Sequence, residues 1–217
     1  ISRNIMRGLG KPTGTLVAPQ VAGWTEVVAK RFPYDVEASK KLLADAGYAE
    51  GFEVDFACPN NRYINDEAIC QAVTAMWARI GVKTKLSAES MATFIQKVQN
   101  FDTSAYLLGW GVATFDAQYT LQSLIRTRTT GADGNFNFSR ISNAKLDAVV
   151  DAMKTETDVA KRNALIRDGL LITRDEVLVL PLHHQVRPWA MKKGVSTTHR
   201  ADDRPEARFT TVNPGGS

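Results

Sequence analysis

Three groups of side chains in this 217-residue chain are of types that could do chemistry. The first is histidine: His183 and His184 adjoin, and His199 stands apart. Adjacent residues on a strand point to opposite faces, so the pair would not readily share a metal ion. No H-E-x-x-H run accompanies them, and no metal or cofactor is expected. A hydrolase using His184 and a nearby acid is one reading. Against it, no G-x-S-x-G elbow exists, and nothing marks Asp102 and Asp116 as an acid–base pair rather than loop and cap residues. The second group is Cys58 and Cys70, whose spacing is not C-x-x-C and which have no histidine beside them, so zinc is not expected. They form either a disulfide, in an oxidising compartment, or two separate buried thiols. The third group lies in loops: Trp110 between Gly109 and Gly111, with Asp116 beyond, then Asn60, Asn61 and Arg62, then Asn135 and Asn137. An indole between two glycines offers a flat face with little local cover, which suits ligand binding; the alternative is that it caps the core.

The elements that must position these residues follow from periodicity and punctuation. Asp35 reads as the N-cap of a helix to Ala46, with Ala38, Leu42, Leu43 and Ala46 inward and Gly47 as its stop. Phe52 to Cys58 alternates and predicts a strand, ended by Pro59-Asn60-Asn61. A helix to Ile80 follows, then a strand over Val82 to Ala88 and a short helix over Met91 to Val98. Ser104 to Leu108 predicts a buried central strand that empties into Gly109-Trp110-Gly111. Asp116 then caps a helix carrying Tyr119, Leu121, Leu124 and Ile125. This β-α-β-α-β-α order predicts an α/β layer with at least partly parallel strands. Ligands of open α/β sheets sit outside the carboxyl ends of strands, where Trp110 falls.

The rest of the chain is read in the same way. Thr127 to Arg140 is loop, and Ser142 or Asn143 caps a helix with Leu146, Val149, Val150 and Met153 inward. Asp158 caps another with Leu165, Ile166 and Leu170 inward. Val177 to Leu182 predicts a buried strand, and Trp189 to Met191 a last one. The G-L-G-K-P-T-G run near the start has no preceding strand and carries Pro12 where a helix should open, so it reads as a surface loop rather than a phosphate cradle. The tail from about Thr198 is polar and is expected to fray.

Composition excludes several classes. Hydrophobic residues make up 44% and charged residues 23%, the proportions of a globular protein, and no apolar run is long enough to span a bilayer. The net charge of +4 is spread with alternating sign, without the basic stripe and interleaved aromatics of a nucleic-acid footprint. The chain opens on Ile1 to Met6, which reads as the middle of a helix.

Several segments together resemble one family, the periplasmic solute-binding proteins of bacterial ABC importers that carry peptides, dipeptides, nickel and related solutes. The resembling residues are Tyr34-Asp35-Val36-Glu37-Ala38 through Leu42-Leu43-Ala44-Asp45-Ala46-Gly47-Tyr48, then Gly51 to Val54, Ala78 to Lys83, Gly109-Trp110-Gly111, and Val179 to His184. Each motif is weak alone; their order along nearly the whole chain is specific. The resemblance implies one lobe, type II-like, of a bilobed binding protein, with a mixed sheet flanked by helices. The implied lobe is carboxyl-terminal and spans residues 1–197, with strands returning toward a first lobe near 177–195, and 198–217 forms the tail. It further implies a periplasmic location, a small peptide or peptide-like solute, delivery to permease subunits in the inner membrane, and no catalysis.

In peptide-binding members an acid three residues after the tryptophan holds the ligand ammonium; here that position is Ala113. Asp116 either takes that role or only caps its helix. Trp110 and Gly111 would supply an apolar wall, with Asn60, Asn61, Arg62, Asn135 and Asn137 as polar contacts. Arg62 could pair a carboxylate in fork geometry, or be an exposed helix-start residue. Asn135 and Asn137 are equally turn formers. A single lobe cannot close, so weak or immeasurable solute binding is expected. A scaffold surface that docks only on membrane partners is a third reading.

Overall fold

A computed structural model of the chain describes residues 1–200 and 204–213. Its organising element is a three-stranded parallel sheet. Strand β2 (Phe52–Pro59) lies in the middle, with β3 (Val82–Glu89) on one edge and β4 (Ala105–Tyr106) on the other. Helix α2 (Asp66–Ala78) and helix α3 (Met91–Gln99) are the crossovers. Each face of the sheet has its own small core: Phe56 and Cys58 pack with Cys70 and Val73 of α2, and Ala57 packs with Phe94 and Val98 of α3 and with Phe138. Both faces of β2 are therefore buried at its carboxyl end, as crossover helices require of a parallel strand.

A larger core sits in a separate helical layer. Helices α5 (Ala144–Thr155) and α6 (Val159–Asp175) pack Leu146, Val150, Met153, Ile166 and Leu170 against Leu121 and Ile125 and against Val17, Val21 and Val28 of the first thirty residues. The expected caps form: Asp35, Asn143 and Asp158 each accept from the backbone N–H three residues on, at the start of α1 (Val36–Asp45), α5 and α6 respectively. No described helix is long and apolar enough to cross a membrane.

The chain is thus α/β, as its pattern predicts, with several corrections. Ala105–Tyr106 pairs at a sheet edge and is half-buried; β2 is the central strand. The stripe of α1 is not inward: none of its residues is buried, and Leu42 is 69% exposed. Periodicity demands a helix with an apolar face but says nothing about what covers it. Val177–Leu182 is not a strand. Leu178 and Val179 pack on the helical core from irregular backbone, Pro181 offers no N–H, and the ladder begins only at β5 (His183–Gln185). Its antiparallel partner is β1 (Gly10–Pro12), inside the glycine run expected to be a surface loop. Trp189–Met191 is not a strand either; β6 (Val195–Thr197) pairs with β7 (Thr210–Val212), so part of the expected frayed tail is ordered. The remainder of that tail, 201–203 and 214–217, lies outside the described residues. Finally, Ile1 to Met6 forms one turn, with Ile5 N–H and Met6 N–H both on the Ile1 carbonyl, rather than a continuing helix.

The two long-range helix ends differ in one residue. Both α1 and α6 stop in a Schellman turn: Tyr48 N–H bonds the Leu43 carbonyl, and Leu178 N–H bonds the Thr173 carbonyl. The left-handed residue is Gly47 at φ 88° in the first and Val177 at φ 51° in the second. A β-branched side chain there costs about 1–2 kcal/mol, and half-exposed Val177 has little packing to lose. Val177→Gly should therefore raise the unfolding free energy by about 0.5–1 kcal/mol, after the glycine's extra unfolded-state entropy is subtracted. Urea denaturation checks this; a lower midpoint would show that Val177 contributes packing that outweighs its strain.

Candidate functional site

The carboxyl end of the parallel sheet gathers three loops. After β2 the chain runs through Asn60, Asn61, Arg62 and Tyr63 into α2. Its two ends are joined by the Cys58–Cys70 disulfide, which decides between the two cysteine readings. Between them, buried Asp66 accepts the backbone N–H groups of Arg62, Tyr63 and Glu67, each at 2.9 Å. The Gln185 side chain of β5 accepts from Ile64 N–H. The loop is tied down from several sides.

The second loop carries Trp110. The indole is half-buried rather than sealed in the core. Its Nε1–H donates to the hydroxyl of fully buried Thr120 at 3.1 Å. One ring contact is a stack on Tyr119 at 5.3 Å between centroids, and another is an edge contact with Phe136 at 5.2 Å. Phe136 in turn meets Phe138 and is itself 41% exposed. Gly109 is required by close approach: a Cβ there would stand 2.6 Å from the Tyr63 ring. The Tyr63 hydroxyl donates to the Gly109 carbonyl, joining the first loop to the second. Gly111 is exposed, with open space where a side chain would project.

The third loop, 127–140, is placed by a change of helical pitch. The short helix α4 (Ala117–Thr120) continues as a π-turn over Leu121–Ile125, in which Arg126 N–H reaches the Leu121 carbonyl. The Gln122 and Ser123 carbonyls are then taken by Gly134 N–H and Phe136 N–H at 2.8 and 2.9 Å. That docking sets Phe136 on Trp110. Single π-turns of this kind recur at functional sites. The outer side of the loop is anchored by ions: Arg126 grips Asp151 with two nitrogens, and Lys154 bridges Asp151 and Asp133. The Arg126 hydrogen bond, with Lys154 beside it, holds the Asp151 carboxyl down at about 2.

The structure sorts the expected site residues. Trp110, Gly111, Asn60, Arg62 and Asn135 lie on the loops that border this end of the sheet, with Arg62 and Asn135 exposed. The Asn61 side-chain oxygen accepts from Met91 N–H at 2.8 Å and so helps to start α3. Two residues need correction. Asn137 is buried; Nδ2 donates to the Arg126 and Ile141 carbonyls, and Oδ1 accepts from Ile141 N–H. It holds the loop from within rather than from its open surface. Asp116 caps α4 through Gln118 N–H at 2.9 Å and pairs its other oxygen with Arg162 at 2.7 Å. Both oxygens are engaged, one as the helix cap and one in an ion pair.

His184 Nε2 and His183 Nδ1 are buried without a hydrogen-bond partner. Burial holds both imidazoles below their ordinary range. Among the described residues no cluster of histidines, cysteines and acids could hold a metal.

The sequence reading did not pick out Tyr63, Asp66, Phe136 or Arg162. Phe136 had a signal, an aromatic between two asparagines in a polar loop. Tyr63 and Arg162 act across sequence gaps and had none; Asp66 acts on backbone N–H groups within four residues of itself.

Known proteins share this fold and stretches of this sequence. The family model described as bacterial extracellular solute-binding proteins, family 5 middle, matches residues 1–132. Di/tripeptide-binding protein 1 of Pseudomonas aeruginosa is 29% identical over 194 residues, 88% of this chain and 35% of that protein. Heme-binding protein A of Haemophilus influenzae is 28% identical over 185 residues, 84% of this chain and 33% of that protein. Among solved structures, a dipeptide-binding protein from Pseudoalteromonas sp. SM9913 in complex with Met-Leu superposes with TM-score 0.83 at 19% identity, over 98% of this chain and 42% of that one. The chain spans about a third of the length of these curated relatives.

Two measurements check this assignment of roles. Asn137→Ala should cost about 2–3 kcal/mol in chemical denaturation, because it leaves buried backbone groups unpaired; a cost under about 0.5 kcal/mol would return Asn137 to the candidate ligand contacts. The buried histidines predict a pH effect of defined sign. The unfolded chain binds their protons near pH 6.5, more readily than the folded one, so stability falls as pH drops below about 6.5. His184→Gln should flatten the denaturation midpoint between about pH 6.5 and 5; an unchanged slope would show that neither burial nor charge at His184 matters to the fold.

Proposed function

The chain belongs to the bacterial extracellular solute-binding proteins, family 5, and from that membership we propose that it is a ligand-binding lobe that captures solute for an ABC importer without converting it. The observation that carries this reading is Trp110: an indole at the carboxyl end of a parallel sheet, fixed by Thr120, Tyr119 and Phe136, yet left half-open. A ligand that buries the remaining surface gains about 1–3 kcal/mol from it. The exposed fork of Arg62 and the amide of Asn60 stand on the neighbouring loop and suit the carboxylate and peptide groups of a short peptide or peptide-like solute. The relatives' names, di/tripeptide-binding and heme-binding, support an organic solute with apolar surface and carboxylates. In this reading residues 1–197 form the lobe, a periplasmic protein closes it against a second lobe, and permease subunits receive the solute.

Closure would exclude water and strengthen each contact; without it the indole wall and a few loop donors act alone. Calorimetry on the 217-residue chain should therefore find the dipeptide Met-Leu bound no tighter than roughly millimolar, and Trp110→Ala should remove that binding. A low-micromolar dissociation constant would overturn the single-lobe reading. Binding unaffected by Trp110→Ala would overturn the role of the indole.

A further inference from the structure

The charges around the Trp110 face are unevenly committed. Five carboxylates stand on the elements that border it: Glu67, exposed on α2, takes the Gln71 amide at 3.2 Å, and the other four are held by cations, caps or buried backbone. Asp66 is buried and accepts three backbone N–H groups. Glu89, at the end of β3, takes Lys97 at 3.0 Å and the Ser87 hydroxyl. Asp116 divides its oxygens between Gln118 N–H and Arg162. Asp133, in the third loop, is held by Lys154 and by the Gln122 amide, both at 2.8 Å. Asp102 is at the opposite, amino end of β4. The cationic side is different. Arg62 lies exposed with its guanidinium carbon 5.2 Å from the Tyr63 ring centre, and no carboxylate pairs with it among the described residues. Tyr63 hydrogen-bonds Gly109, the residue before Trp110, so this positive charge stands beside the indole loop.

We infer that this face of the site takes an uncharged or anionic group with apolar surface, and disfavours a protonated amine. The inference rests on the capture reading above and narrows its substrate class. An ammonium brought against Trp110 gives up hydration and meets no carboxylate without a partner, so it would have to compete with an existing ion pair, cap or hydrogen bond. An indole face attracts cations by about 0.5–1 kcal/mol at an exposed site, which works the other way. Arg62 already supplies a cation there, and like charge offsets that attraction. A solute carboxylate, in contrast, finds a free planar fork. The charged contacts are exposed and screened, so the discrimination from this lobe is modest.

The test uses the chain labelled with nitrogen-15, reading the Trp110 indole N–H resonance, assigned through Trp110→Phe. The probes are Met-Leu, a zwitterion, and N-acetyl-Met-Leu, which lacks the ammonium and keeps the carboxylate. N-acetyl-Met-Leu should shift the resonance with an apparent dissociation constant about threefold or more below that of Met-Leu. Arg62→Gln should remove most of that difference. Arg162→Gln, which frees one oxygen of Asp116 while retaining a partner for Gln118, should improve Met-Leu relative to its acetylated form. Equal affinities, or tighter Met-Leu, in the unmodified chain would overturn the inference and leave capture standing. If neither probe moves the Trp110 resonance up to its solubility limit, the inference fails, while the capture reading, which expects binding no tighter than roughly millimolar from one lobe, stands.

Discussion

Strand β2 is hydrogen-bonded on both edges and covered on both faces, and the rest of the architecture follows from that confinement. A strand enclosed in this way must be apolar toward its carboxyl end, which Phe56, Ala57 and Cys58 are. It can leave the sheet only through a loop at that end. Parallel neighbours β3 and β4 leave at the same end, so the loops after β2 and β4 converge there, and the 127–140 loop docks beside them. The site is a consequence of parallel pairing: crossover helices occupy the faces, and the carboxyl edge is the one place where backbone and side chains remain open.

Convergence alone would produce flexible loops. Here each is tied by a different kind of bond. The first is closed by a disulfide and by buried Asp66. The second is held through the Trp110–Thr120 hydrogen bond and the contact of Tyr63 with Gly109. The third is docked on carbonyls released by the π-turn and pinned by Arg126, Asp133, Asp151 and Lys154. Binding surfaces that are ordered in advance lose less entropy when a ligand arrives. The same ties engage Asn137 and Asp116, which have the right chemistry for ligand contacts, in holding the loops.

The exposed stripe of α1 and the open half of Trp110 share a cause. Both are apolar surfaces whose cover does not come from the described residues. For Trp110 the surface is framed by polar loops and the guanidinium of Arg62. For α1, Leu42 is exposed, with Tyr34 and Tyr48 exposed at its two ends.

Local chemistry was legible in the sequence. The helices over 36–45, 144–155 and 159–175 were readable because Asp35, Asn143 and Asp158 satisfy free backbone N–H groups within a few residues of themselves. The α/β class was readable because alternation and helical spacing take turns along the chain. What tertiary structure alone decided were relations between distant residues: that β2 and not β4 is central, that Gly10–Pro12 pairs with His183–Gln185, that Cys58 meets Cys70, that Arg162 neutralises Asp116 and that Phe136 lies on Trp110. Periodicity says which way a side chain faces on its own element. It carries no information about which other element arrives there, because that depends on the packing of the whole chain.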